Sequence, residues 1–295
     1  MKRPIFIGTG VAMVTPFTEN GVDYPALRAM TRRLLDAGVD ALIVCGTTGE
    51  ASTMDPEERA GAIEAVVKET AGQIPVIAGT GSNCTASAIQ RSREAEKAGA
   101  DALLVVTPYY NKASPKGLIQ HYTAIADSVD HPVILYNVPS RTGVSCTVDT
   151  YRTLAQHPNI VGVKEASGSL ELVQQTRAVC PRDFTIWSGN DSETAPIMAM
   201  GGAGVISVAA NVLPQAMVKL TKACLENYFT DAAIQQIQLL PLCSALFSEV
   251  NPIPVKTALA MMGLCEERFR LPLCPMEPAH REALRKLLLE LGCIR

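Results

Sequence analysis

Short apolar runs alternate with amphipathic stretches along most of this chain, and that alternation limits its fold more than any other feature. Strand-like runs fall at Gly10–Val14, Ala41–Cys45, Pro75–Ala78, Ala102–Val106, Val133–Tyr136, Ile160–Lys164, Thr185–Trp187 and Gly204–Ser207. Helical patterns lie between them, among others at Asp55–Ala71, Thr85–Ala98, Gly117–Val129, Leu170–Val179 and Asp191–Met200. The strand runs are apolar throughout, as expected of parallel strands covered on both faces. Several follow a glycine that stops the preceding helix, as in AGVDALIVC, AGADALLVV and GGAGVISV. Eight βα units without a second composition regime predict an α/β fold: one closed (β/α)₈ TIM barrel. An open doubly wound sheet is the alternative. After about Tyr228 the strand signals stop, and Ile234–Val250, Val255–Gly263 and Pro278–Leu291 read as helices. The expected division is a barrel over residues 1–227 and a C-terminal helical extension over 228–295.

A chain of 295 residues suits a single α/β barrel. Its composition, 47% apolar and 19% charged, supplies a core and shows no disorder signature. A net charge of −3 provides no basic excess for nucleic acid. The Arg32-Arg33 pair reads as a solvated helix face. Nine widely spread cysteines without a CxxC fit free thiols in a reducing cytoplasm better than a disulfide framework. The N-terminal stretch is broken by glycines and Pro16, so it does not read as a signal peptide, and no apolar run is long enough for a membrane span.

Active sites of parallel barrels form at the C-terminal ends of the strands. Lys164 stands out there, because it ends the apolar run NIVGVK. An amine in a mostly apolar mouth loses hydration, so its pKa falls and more of it is free to attack a ketone. The same pattern equally describes a lysine that snorkels to the rim or pairs with Glu165. Thr47 and Thr48 lie between two glycines, before a helix starting near Asp55; their hydroxyls and free amides suit a carboxylate. A tight turn with hydroxyls capping local backbone is the other reading. Tyr136 also ends a strand, and its phenol either passes protons or serves as a core group with a backbone partner. Arg141, in a loop punctuated by Pro and Gly, either clamps a carboxylate through two parallel bonds or is a surface arginine. The histidines at 121, 131, 157 and 280 are scattered and none falls at a strand end, so no metal site is expected.

Seven motifs in fixed order resemble one family along essentially the whole chain: GTTGE at 46–50, PYYN at 108–111, YNVPSRTG at 136–143, GVKEASG around Lys164, SGND at 188–191, GVISV at 204–208 and NPIPVK at 251–256. They are similar to those of the dihydrodipicolinate synthase family, in the superfamily that includes N-acetylneuraminate lyase. The resemblance implies a pyruvate imine at Lys164, with Thr47 and Thr48 holding the pyruvate carboxylate. It implies a proton relay of Tyr136, Thr47 and Tyr110, Tyr110 coming from a neighbouring subunit. Arg141 would bind the carboxylate of aspartate 4-semialdehyde, and the backbone at Gly189 and Ile206 would line the site. It also implies a dimer of tight dimers and no cofactor. Arg141 favours the synthase over an aldolase of N-acetylneuraminate or 2-keto-3-deoxygluconate, because the sialic acid lyases do not keep it. A barrel that only senses pyruvate-like ligands is the third reading.

Two departures from the family pattern stand out. Many members are inhibited by lysine, at positions matching Ala51, Ser52, Pro56, Arg59, Asn83, Ser87 and Tyr109. Here the usual acidic residue is Ser87, and the two imidazoles are Pro56 and Arg59. An uncompensated arginine repels a cationic ligand, so lysine inhibition is expected to be weak or absent. In SGND, Asn190 stands where an aspartate is frequent and brings no charge.

Overall fold

The computed structural model describes residues 2–295. Eight parallel strands close into a barrel: β1 Gly8–Ala12, β2 Ala41–Val44, β3 Val76–Gly79, β4 Ala102–Val106, β5 Val133–Asn137, β6 Ile160–Glu165, β7 Thr185–Ser188 and β8 Gly204–Ser207. Each strand pairs with its sequence neighbours, and β1 pairs with both β2 and β8, which excludes the open sheet. The expected strands all form. β1 starts two residues early, where Gly8 pairs with Gly204, and it stops two residues early, beyond which the Val14 N–H turns to the Asn211 side chain.

Two cores follow from the pleat, since successive strand residues face opposite sides. Ile43, Ile77, Leu104, Ile134, Trp187 and Ile206 fill the barrel interior. A larger cluster, with Leu42, Leu103, Leu135 and Val163, packs the strands against the helices. Trp187 closes the lower barrel. Its ring stacks on Phe6 with centroids 5.2 Å apart, and its indole N–H donates to the Phe6 carbonyl at 3.2 Å. Gly162 leaves room for this: a Cβ there would run into the Thr185 carbonyl and the Trp187 ring.

Helix starts are set by local chemistry. Asp55 and Glu58 form a reciprocal capping box at Pro56–Thr70, and Ser114 caps Pro115–Ala126. The expected helix over Asp191–Met200 divides into a 3₁₀ turn, Asp191–Glu193, and a short α-helix, Thr194–Ala199. The YNVPSRTG segment is not a plain loop. Residues Pro139–Thr142 make one helical turn, which Gly143 ends at φ 71°. Arg33 corrects the solvated-pair reading: it is half-buried and donates to the carbonyls of Asn211 and Val212, both at 2.8 Å. Only Arg32 behaves as expected, pairing with Glu69 near the surface.

The extension consists of helices Phe229–Ala245, Ile253–Met261 and Pro278–Glu290, the first beginning and ending five residues before the expected span. Polar fasteners hold it to the barrel. Lys256 is fully buried, ion-paired with Glu50, bonded to the Arg268 carbonyl at 3.0 Å and set over the Phe17 ring at 4.2 Å. Arg270 chelates Glu58. Gln236 bonds the Asp191 carbonyl and the Ala195 N–H. Removing one member of a buried ion pair strands the other charge, at a cost of about 3–5 kcal/mol. Lys256→Met should therefore lower the thermal midpoint clearly, and adding Glu50→Gln should restore part of the loss; both are read by calorimetry.

Candidate active site

Strand register assembles the centre of the site. Tyr136, Lys164 and Trp187 are direct partners on β5, β6 and β7, so their side chains share the inner face. The Lys164 Nζ lies 4.4 Å from the centroid of the Tyr136 ring, and Lys164 is only 5% exposed. The next residue, Glu165, faces the helix layer instead. There it accepts from the Tyr151 hydroxyl at 2.6 Å, the Asn137 amide at 3.0 Å and the Ser167 N–H at 2.9 Å. The readings of Lys164 as a rim group or a partner of Glu165 therefore fail.

Burial lowers the Lys164 pKa to about 8; the Asp191 carboxylate opposes this and the Arg141 guanidinium adds to it. Burial also raises the Tyr136 phenol, while Arg141 and the Thr47 hydroxyl pull it back down. Tyr136 is thus protonated beside an amine that is partly neutral near pH 7. Asp191, buried on the far side, takes N–H bonds from Val208 at 3.0 Å and Ala209 at 2.9 Å. Burial raises its pKa, against the Ser207 hydroxyl, those two bonds and Lys164.

A cavity of about 330 Å³ opens above Lys164, and its walls include Thr48, Tyr136, Arg141, Gly189 and Asn251. Thr48 is buried, and its hydroxyl accepts from the Asn251 amide at 3.0 Å. Arg141 is exposed at the rim, with one guanidinium N–H on the Asn251 carbonyl at 3.2 Å. Gly189 is held by its N–H to the Glu165 carbonyl at 2.7 Å. Ile206 sits in the barrel interior below the cavity, and Val208 reaches the wall. Asn190 turns its amide to Glu193 at 2.9 Å.

A second cleft of about 310 Å³ shares Tyr136, Val138 and Arg141 with the first. Thr47, Ala51, Ser52, Arg59, Arg91 and Tyr109 also line it. Among these lining residues are three arginines and no carboxylate. Pro56 opens the adjacent helix, the Asn83 carbonyl accepts from Asn111 at 2.9 Å, and Ser87 bonds toward Cys84; none of the three lines the cleft. Tyr110 does not join the site of its own chain. It is 91% exposed with φ 70°, a left-handed conformation that costs a bulky side chain free energy. Cys45 and Glu50, which bracket the GTTG turn, also have positive φ.

Asn251 and Asp191 were not singled out from the sequence. Asn251 comes from the extension, more than 100 residues from Arg141, with no local pattern to mark it. Asp191 had one usable signal, a carboxylate placed where a barrel strand runs into its loop. Because only the neutral amine is nucleophilic, reactivity must rise with pH through the folded pKa. Reductive methylation mapped to Lys164 should have a midpoint near pH 8, and Arg141→Ala should move that midpoint upward by removing a neighbouring cation.

Comparison with known proteins agrees with this architecture. The chain is 50% identical over 293 residues to 4-hydroxy-tetrahydrodipicolinate synthase of Thermoanaerobacter sp. (strain X514), covering 99% of each. It is 48% identical to the protein of that name from Geobacter sulfurreducens, covering 97% of this chain and 99% of the relative. Among solved structures, dihydrodipicolinate synthase from Aquifex aeolicus superposes with a TM-score of 0.95 at 45% identity, covering 98% of this chain and 99% of the other. The enzyme from Thermotoga maritima superposes with a TM-score of 0.97 at 41% identity, covering 99% and 100%. Residues 5–291 match the profile of the Dihydrodipicolinate synthetase family, and the chain belongs to that family.

Proposed function

We propose that this chain is a Schiff-base lyase that condenses pyruvate with L-aspartate 4-semialdehyde to 4-hydroxy-tetrahydrodipicolinate, in the diaminopimelate route of lysine biosynthesis. The observation that carries this is the buried Lys164 amine, facing a cavity shared with Tyr136, Thr48 and Arg141. The relatives' names support a synthase over an aldolase of sugar keto acids.

The Lys164 amine adds to the pyruvate ketone, and the carbinolamine loses water to give the imine. Thr48 and the backbone around Thr47 hold the carboxylate. Tyr136 moves protons, with the Thr47 hydroxyl beside it. Loss of a methyl proton gives an enamine, whose carbon attacks the aldehyde of a second substrate held by Arg141. The amine of that substrate then adds to the imine carbon, closes the ring and expels Lys164. Holding two small molecules in line and relaying protons supplies most of the acceleration. The Gly189 and Ile206 backbones complete the floor, and no cofactor takes part.

The oligomer we propose is a homotetramer, a dimer of dimers in which Tyr110 enters the neighbouring site. Its exposure and its left-handed backbone support a partner outside its own chain. We divide the chain into a catalytic barrel, 1–227, and a helical subdomain, 228–295. Nine free thiols support a cytoplasmic setting.

Borohydride with pyruvate should attach a three-carbon unit to Lys164, found by peptide mapping; a label elsewhere, or none, sinks the assignment. Arg141→Ala should keep this trapping. It should raise the KM for the semialdehyde tenfold or more, as expected from losing a charged hydrogen bond of about 1.5–3 kcal/mol. The cationic cleft formed by Arg59, Arg91 and Arg141 opposes a lysine ligand. Lysine should inhibit weakly or not at all, and a submillimolar inhibition constant would refute this.

A further inference from the structure

Among the described residues, Asn251 alone makes hydrogen bonds to both of the side chains just assigned to substrate carboxylates. It lies in the turn between two helices of the extension, 5% exposed, directly before Pro252. Its side-chain N–H donates to the Thr48 hydroxyl at 3.0 Å. Its backbone carbonyl accepts from the Arg141 guanidinium at 3.2 Å. Its Oδ1 is buried without a partner among the described residues, so the bond to Thr48 is the only hydrogen bond its side chain makes to them.

A threonine hydroxyl has one proton to donate. When its oxygen accepts from Asn251, that proton is left free to point into the cavity. A hydroxyl without such a neighbour rotates and can spend its proton on backbone, as Thr53, Thr70 and Thr31 do in this chain. The bond from Asn251 therefore turns Thr48 from a rotor into an oriented donor. Arg141 is held by a backbone atom, which no side-chain change at 251 removes.

We infer that Asn251 is a positioning residue: its amide orients the Thr48 hydroxyl toward the keto-acid carboxylate, while its carbonyl fixes the Arg141 guanidinium for the second substrate. The inference rests on the proposed roles of Thr48 and Arg141. It makes the helical extension part of the keto-acid subsite.

The test measures the pyruvate concentration that gives half-maximal borohydride labelling of Lys164, which needs no second substrate. In Asn251→Ala this concentration should rise about tenfold, as expected for a lost hydrogen bond to an oriented donor. The KM for the semialdehyde should change by less than about twofold, because the carbonyl remains. In a Thr48→Val background, Asn251→Ala should add nothing to the pyruvate requirement. A purely structural role would instead move both substrates and add in full. Asn251→Asp, nearly isosteric, covers the case in which the alanine variant fails to fold. A carboxylate can only accept, so Thr48 gives its proton to it, and the pyruvate requirement should again rise. Wild-type pyruvate dependence in the folded variants, or full additivity with Thr48→Val, overturns the inference. Absence of labelling at Lys164 in the wild type would overturn the proposed chemistry instead.

Discussion

Burying an amine is the constraint around which this protein is organised. Taking Lys164 out of water disfavours its charged form, and the barrel supplies only partial compensation. Asp191 is near enough to matter but is itself buried, with one of its two oxygens committed to two backbone N–H groups. The Tyr136 ring offers its face rather than a charge. A strong ion pair would have kept the ammonium and removed the nucleophile. The carboxylate next in sequence, Glu165, is directed by the pleat to the other side of the sheet, where three donors hold it. One alternation of strand geometry therefore separates a reactive lysine from the acid that would silence it.

The extension matters to the site as much as the strands do. Lys256 and Glu50 tie it to the loop that carries Thr47 and Thr48, and Gln236 ties it to the loop that carries Asp191. Glu50 adopts a left-handed backbone, and so does Cys45 at the other end of the same turn. Such conformations persist where the surroundings over-determine them. Here the surroundings include an ion pair and a helix contributed by the far end of the chain.

The eight strands were legible because a strand covered on both faces must be apolar throughout, and glycine stops mark where several of the runs begin. Their order around the barrel then follows from short right-handed connections. Lys164 and Tyr136 were legible as strand ends. The limits were equally physical. The helical turn at Pro139–Thr142 is four residues long and carries no periodicity. Arg33 looked like half of a solvated pair because sequence does not show that two free carbonyls, at Asn211 and Val212, arrive from another element. Asn251 was read only as part of a family motif, because its partners are distant in the chain and hydrogen bonds leave no trace in hydrophobic patterning.

The stacked Phe6 and Trp187 rings have a consequence for traffic. They plug the lower end of the barrel, so Lys164 is approached from the cavity above it and not from below. Lys164 lies at depth, and Arg141 stands at the rim. Under the proposed chemistry, a molecule held at the rim blocks the way down, so the keto acid has to arrive first. Depth thus asks for the same order of arrival as the chemistry does, and a ligand that lodges at Arg141 too early stands between the amine and the mouth of the cavity.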